Sequence, residues 1–372
     1  MNMMFVEDCC EILDSMRIPI TAADRKEGEY PYYGANGIQD YVAGYIFDDE
    51  LVLLAEDGGN FGSKEKPIAY RVSGKCWVNN HAHVLKPKAG LDVDYLCYSL
   101  MFYKVDGMVN GATRQKLTQS AMRKMQIPSR CMEEQKHIVD ELNRIIKIKE
   151  QRQQELQLLD ELIKARFVEM FGDPATNPMR WSETTIGDEC FYIKDGPHKS
   201  LPDIGKENGG HPFISVRNIV NGYIDFSTAR YISDEDYANA IKKCHPEKGD
   251  MLYSKGGTTG IAKLIDIDEE FANWVHVAVL KFDKSKLNGI FFENMLNGDY
   301  CFEQSQRLTK GIANRDLVLS AMAQIKMYRP PMEIQKQFAD FVKQVNKSKV
   351  AIQAALDKSQ LLFDSLMQKY FG

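Results

Sequence analysis

Two stretches of the chain carry the same pattern of apolar positions. Steps of four and three from 138 pick out Ile138, Leu142, Ile145, Lys149, Arg152, Leu156, Leu159, Ile163 and Arg166. Adding 200 to each number gives Phe338, Val342, Val345, Lys349, Ile352, Leu356, Ser359, Phe363 and Leu366. This spacing lays one apolar stripe along a helix, the heptad seam of a coiled coil. Neither 132–169 nor 332–369 contains Gly or Pro, and both are rich in helix formers. They predict two long helices. Pro128 and Pro330-Pro331 suit their starts and Gly172 suits a stop. The two seams have equal length and phase, and a lysine interrupts both at the same place. That predicts helices packed on each other rather than each on its own domain.

The offset extends beyond the seams. Met132-Glu133-Glu134-Gln135-Lys136 recurs as Met332-Glu333-Ile334-Gln335-Lys336, Ser120-Ala121-Met122 as Ser320-Ala321-Met322, and Phe171-Gly172 as Phe371-Gly372. Asp140/Asp340, Lys147/Lys347 and Leu162/Leu362 keep the same register. The chain therefore reads as two diverged copies of one unit. Four segments follow: a globular part over 1–128, a long helix over 129–172, a second globular part over 173–330 and a second helix over 331–372. Within the globular parts, Tyr41 to Leu54, Tyr70 to Leu85, Asp250 to Ser254, Ile261 to Asp268 and Trp274 to Phe282 read as strands between turn signals. Each part has a glycine turn, Asp57-Gly58-Gly59-Asn60 or Lys255-Gly256-Gly257-Thr258-Thr259-Gly260. Each turn is followed by a strand bearing a histidine before an apolar pair, His81 or His276.

Composition narrows the class. Among 372 residues, 44% are apolar and 27% charged, as in an average globular chain. No apolar run approaches a membrane span, and the acidic N-terminus is unlike a secretory signal. Eight cysteines without a C-x-x-C pair read as reduced thiols, so a cytoplasmic protein is expected. The net charge of −5 argues against nucleic acid, yet the basic residues are segregated. Lys64, Lys66, Arg71, Lys75, Lys86 and Lys88 follow an acidic stretch. Arg114, Lys116, Arg123 and Lys124 form a second group, and Arg307, Lys310, Arg315, Lys326 and Arg329 a third. Such segments can build a local anion-binding face.

Enzyme signatures do not appear. Gly256 to Lys263 lacks the Gly-Lys-Ser/Thr ending of a phosphate loop and sits between strands, so it reads as a hairpin turn. His81-Ala82-His83 lacks a third ligand nearby, so no metal site and no cofactor are expected. Neither G-x-S-x-G, H-E-x-x-H nor the Asn-Pro-Pro-aromatic motif of adenine methyltransferases occurs.

The paired arrangement resembles the specificity subunit of type I restriction–modification systems, often written HsdS. The twin helix starts at Ile127-Pro128 and Pro330-Pro331 carry the resemblance. So do Gly249-Asp250-Met251-Leu252-Tyr253-Ser254 before its glycine turn, His276-Val277-Ala278-Val279-Leu280, Trp181 with Ile186-Gly187-Asp188, and Pro31 to Gly37. The first copy lacks the usual tryptophan-containing opening and starts at Val6-Glu7-Asp8. The resemblance implies an α+β chain of two mixed target-recognition domains in pseudo-twofold repeat, separated by two long antiparallel coiled-coil helices. It implies recognition of a split double-stranded DNA target without catalysis. It further implies docking of two methyltransferase subunits on the helices and recruitment of restriction subunits.

Candidate DNA contacts are Lys, Arg and loop residues for phosphates, and Asn, Gln, Thr and Arg for base edges. In the first domain these are Lys64, Lys66, Asn79, Asn80, His81, Thr113, Arg114 and Gln115. In the second they are Lys199, Arg217, Asn218, Lys255, Thr258, Thr259, Arg307 and Lys310. Ile146, Ile148 and Phe167, outside the seam, are candidate docking residues. A coiled-coil protein-interaction adaptor, or a methyltransferase or nuclease with unrecognised motifs, are the competing classes.

Overall fold

The computed structural model describes residues 2–111, 115–312 and 314–372. The chain divides into two compact units, Met1–Gln153 with Gln353–Gly372, and Gln154–Ile352.

The first unit opens with β1 (Met3–Phe5), α1 (Val6–Cys9) and β2 (Cys10–Ile12). β3 (Glu27–Gly34), β4 (Gly37–Val42), β5 (Phe47–Ala55), β6 (Ala69–Val78) and β7 (Ala82–Pro87) lead to α2 (Val93–Met101). β8 (Val109–Asn110), β9 (Lys116–Leu117), α3 (Gln119–Arg123) and β10 (Gln126–Pro128) precede the long helix α4 (Met132–Phe171). The main sheet has the order β2-β7-β5-β6-β3-β4, antiparallel except where β3 meets β6. β1 pairs with β10, so the chain start is fastened to the strand that feeds α4.

The second unit begins with β11 (Ser182–Thr185), α5 (Ile186–Glu189) and β12 (Cys190–Asp195), followed by β13 (His211–Ile214), β14 (Arg230–Ile232) and α6 (Asp234–Lys243). β15 (Met251–Ser254), β16 (Ala262–Leu264), β17 (Ala272–Asn273) and β18 (Val277–Phe282) come next. α7 (Gly289–Asn297), α8 (Asp299–Leu308), α9 (Leu319–Met322) and β19 (Lys326–Arg329) lead into α10 (Met332–Phe371). Its antiparallel sheet β12-β18-β15-β16 repeats the order β2-β7-β5-β6, and β11 pairs with β19 as β1 does with β10. The sequence β1-α1-β2 therefore does the work of β11-α5-β12, with Val6 in the place of Ile186. The units differ beyond this frame: β3 and β4 join the main sheet of the first, whereas β14-β13-β17 is separate in the second.

Four expected strands change, among them Trp274 to Phe282, which contracts to Val277–Phe282 and leaves His276 in the turn before it. Tyr41 to Leu54 is broken between β4 and β5, and Tyr70 to Leu85 between β6 and β7, because hydrophobic alternation runs on through both reversals. Ile261 to Asp268 contracts to Ala262–Leu264. The glycine segments do lie between antiparallel partners, β5 with β6 and β15 with β16.

Each long helix has 40 residues. α4 stops because Gly172 adopts φ +75° while its N–H donates to the Val168 carbonyl. A side chain there would strike Pro178. Within the first unit, Ile138, Leu142 and Ile145 are buried with Tyr95, Leu96 and Leu100 of α2 and with Phe363 and Tyr370 of α10. Within the second, Ile163, Phe167 and Phe171 are buried with Phe291 of α7 and with Phe338, Val342 and Val345 of α10. In both units the start of one helix meets the end of the other, so the packing is antiparallel. The seam has two duties, facing the partner helix and its own domain at once. Leu156, Leu159, Ile352, Leu356 and Leu366 are only half-buried. The seam lysines reach sideways: Lys149 donates to Gln360 Oε1 and lies over the Phe363 ring, and Lys349 Nζ is 2.6 Å from Asp160 Oδ1. Arg152 Nη1 donates to the Ala355 carbonyl at 2.5 Å and to Ser359.

The repeated glutamine of the two motifs has a physical role. Gln135, fully buried, accepts from the Asp92 N–H at 2.8 Å and donates to the carbonyls of Gly90 (3.0 Å) and Arg130 (2.9 Å). Gln335 accepts from the Asn288 N–H at 2.8 Å and donates to Lys286 (3.2 Å) and Pro330 (2.7 Å). Asp92 and Asn288 are the N-caps of α2 and α7. One amide thus staples the first turn of each long helix to its domain.

Candidate nucleic-acid interface

Three segments meet at one end of the first domain's sheet: the turn after β5, the β6–β7 turn and β9. The Glu56 N–H donates to the His81 carbonyl at 2.9 Å, Leu117 N–H to the Glu56 carbonyl at 2.7 Å, and Gly58 N–H to the Gln115 carbonyl at 3.2 Å. The second domain builds the same junction. There Lys255 N–H donates to His276 (2.8 Å), Leu317 N–H to Lys255 (2.7 Å) and Gly257 N–H to Arg315 (3.0 Å). Gly58 and Gly257 have φ of +62° and +69°, which an L side chain rarely adopts. A side chain at Gly256 would overlap the His276 ring.

Charged groups line each junction. Glu56 accepts from Arg17 Nη1 at 2.6 Å and lies 2.9 Å from Lys116 Nζ. Burial pushes its carboxyl up, but the hydrogen bonds from Arg17 and Lys116 and the charge of His83 outweigh it and hold it below its ordinary range. Burial likewise opposes ionisation of Asp14. Its hydrogen bond from His83 (2.7 Å) and those from the Val84 N–H and Gln119 (both 2.9 Å) prevail, so its carboxyl is lowered too. In the second domain, Lys255 Nζ is 2.9 Å from Asp316 and 3.5 Å from Asp195.

Asp14, Glu56 and His83 form a buried group with donor atoms within 4.8 Å of one another. Both nitrogens of His83 lie against acceptors, Asp14 Oδ2 and the Leu117 carbonyl (2.9 Å). Neither presents a lone pair to a metal, and Arg17 and Lys116 already balance the carboxylates. The group is an ion-pair network that ties the segments together.

The candidate contacts divide by their surroundings. Asn80, Gln115, Thr258, Arg307 and Lys310 are exposed around the junctions, and His81 is half-buried with Nδ1 2.6 Å from Asp57. His81 lies in the β6–β7 turn, ahead of the strand that holds His83. Four candidates face inward instead. Asn79 donates to Gln39 (3.1 Å) and accepts from the His81 N–H (2.8 Å). Asn218, 1% exposed, spends its amide on Ser215, Asp225 and Thr228. Lys255 is held by its two carboxylates, and Thr259 is buried against Thr309 at 2.9 Å and accepts from Gln306 at 3.0 Å. Asn79, Lys255 and Thr259 help build the junctions and Asn218 ties its own loop, and none of the four reaches outward, because each polar group found its partner inside the domain. Lys64 and Lys66 are exposed on the stretch before β6, where Lys64 borders a cleft with Met101, Ile146 and Phe363. Lys199 is exposed, and exposed Arg217 donates to the Thr228 carbonyl at 2.6 Å. Thr113 and Arg114 lie outside the described residues. Of the candidate docking residues, Ile148 is exposed, Ile146 is partly buried, and Phe167 belongs to the core. The junctions also hold Lys116 and Arg315, which belong to the basic segments but not to the candidate contacts, and the acid Asp316. Their signal was the 200-residue offset, which holds back to Leu117 and Leu317.

Two copies of one α+β frame, each carrying a glycine-turn junction and a long helix, define a duplicated recognition module. The family model of the type I restriction modification DNA specificity domain matches residues 1–158 and 178–359. The chain belongs to that family and is a specificity subunit of the type I restriction–modification class. It is 28% identical to a putative type I restriction enzyme specificity subunit of Haemophilus influenzae, over 72% of this chain and 68% of that protein. It is 21% identical to the MjaVIII specificity subunit of Methanocaldococcus jannaschii, over 92% and 85% of the two chains. The type I restriction–modification S subunit from M. genitalium shares the fold with a TM-score of 0.59 at 14% identity, covering 100% of this chain and 96% of that one. A chain from a structural study of complex assembly and conformational transition of the type I R-M system gives 0.56 at 14%, covering 100% and 97%. Among the described residues, no helix is long and apolar enough to cross a membrane.

Proposed function

We propose that each recognition domain reads one half of a split double-stranded DNA target. The domains correspond to 1–128 and 173–330, and the helical segments 129–172 and 331–372 dock two methyltransferase subunits. The complex recruits restriction subunits, acts in the cytoplasm, and draws its catalysis from those partners. The observation that carries this reading is one frame with two unlike surfaces. The backbone junctions match bond for bond, while Asn80, His81 and Gln115 surround the first and Thr258, Arg307 and Lys310 the second. Equal frames place two readers alike; unlike side chains read unlike bases. Net charge of −5 fits a chain whose partners share the phosphate contacts.

The test exchanges 181–330 for the matching part of a relative and sequences the methylated sites in cells that carry the methyltransferase. One half of the methylated motif should change and the other should stay. A change in both halves defeats the assignment of one half-site per domain. Absence of DNA binding by the chain with its methyltransferase would favour a protein adaptor.

A further inference from the structure

The two junctions share three backbone hydrogen bonds but invert one charge pair. In the first, the turn supplies the acid, Glu56, and the neighbouring segment supplies the base, Lys116, 2.9 Å away. In the second, the turn supplies the base, Lys255, and the segment supplies the acid, Asp316, also at 2.9 Å. The correspondence is set by the backbone and not by the charges. Asp57 bridges Lys116 as Gly256 bridges Asp316, and Leu117 and Leu317 donate to the carbonyls of Glu56 and Lys255.

Exposure follows the same division. The side chains on the turns are 11% and 6% exposed, and those on the segments 49% and 45%. Each buried charge also has a second internal partner, Arg17 for Glu56 and Asp195 for Lys255. Releasing Lys116 or Asp316 therefore leaves no orphaned buried ion, and the domain core does not depend on either. What each does hold is the segment beside the turn, which carries exposed Gln115 in the first domain and half-buried Arg315 in the second. Arg315 is further braced by Gln306, whose amide reaches the Thr259 carbonyl at 3.0 Å.

We propose that Lys116 and Asp316 are positioning residues that latch each reading segment to its own glycine turn through sign-inverted ion pairs. This rests on the DNA-recognition reading above. The inverted signs make a sharp test, because positioning and direct charge contact with DNA predict different outcomes. Lys116→Gln and Asp316→Asn each remove one charge, and Lys116→Arg keeps it. If the pairs latch, both neutral variants act in the same direction. Amide exchange in the full chain should speed up on the order of fivefold, around Leu117 in the first and Leu317 in the second. In the methyltransferase complex, discrimination against base changes should fall in the matching half-site only, while Lys116→Arg stays close to the parent. If the side chains act only as local charges on the phosphates, Lys116→Gln weakens DNA binding and Asp316→Asn strengthens it, with discrimination unchanged; that overturns the proposal. Unchanged exchange in both neutral variants overturns it as well. An unmodified complex that binds no DNA overturns the recognition reading and, with it, the reading role of these segments. The exchange measurement, which needs no DNA, tells the two failures apart.

Discussion

Asp14 and Glu56 concentrate the first domain's sensitivity to acid. Both are buried, and both are held ionised by donors from distant parts of the chain. A carboxylate whose folded value is lowered stabilises the fold above its ordinary range and loses that contribution as pH falls through it. The ordinary values are 3.8 and 4.5, so the contributions are complete at neutral pH and drain away below them. Thermal unfolding of the full chain at pH 7 and near pH 3 should show this loss. Glu56→Gln, which cannot titrate, should start less stable and lose less between the two conditions. An equal loss in variant and parent would mean that Glu56 is not among the groups responsible. In the sequence His81 and His83 stand as alternate residues of one expected strand. That they serve different networks comes from the fold, since Asp14 and the Leu117 carbonyl reach His83 only through the folded chain.

At the scale of elements, the long helices sort their apolar residues into two kinds. Leu142 and Phe167 are core, and truncating Leu142 to Ala should cost about 2–5 kcal/mol of stability. Leu162 and Leu362 occupy the same register position in the two copies and are 46% and 51% exposed. An equivalent exposed leucine on each helix suits two similar docking events. Leu162→Ala and Leu362→Ala should change stability by less than about 0.5 kcal/mol. Each should weaken one methyltransferase docking event by roughly fivefold, and the double variant should weaken both. Titration of the methyltransferase into each variant, followed by mass measurement of the complexes, reads this directly. Unaltered affinity in the double variant would place the docking face elsewhere on the helices.

At the scale of the molecule, each long helix begins in one unit and ends in the other. A helix of 40 residues at ~1.5 Å per residue runs roughly 60 Å. One heptad added to each, near Lys149 and Lys349, preserves the seam phase and adds about 10 Å. At ~3.4 Å per base pair this is worth up to ~3 base pairs of unread spacer. The preferred spacer should lengthen while both half-site sequences persist, as read by sequencing methylated sites. Affinity should fall somewhat, because the added length also rotates one half-site around the duplex axis. Persistent methylation with the old spacer would mean that helix length does not set it.

The chain by itself determined the duplication, both long helices and the glycine turns. These are local signals: a helical period, a missing breaker, a conformation that glycine tolerates. It also carried the staple glutamines inside a visible repeat, without saying what they hold. Only the tertiary structure decided which polar residues face inward. Asn79, Lys255 and Thr259 have the chemistry of DNA contacts, but their partners come from other segments of the fold, while Asn218 is spent on its own loop. The same holds for Phe167, which reads as a surplus docking residue and is packed among Phe171, Phe291 and Phe338. The sign-inverted latches show the limit most clearly. Lys116 and Asp316 stand 200 positions apart in the repeat, yet their meaning appears only when Glu56 and Lys255 are brought beside them. An ion pair depends on distance in space, and periodicity along the chain does not encode that distance.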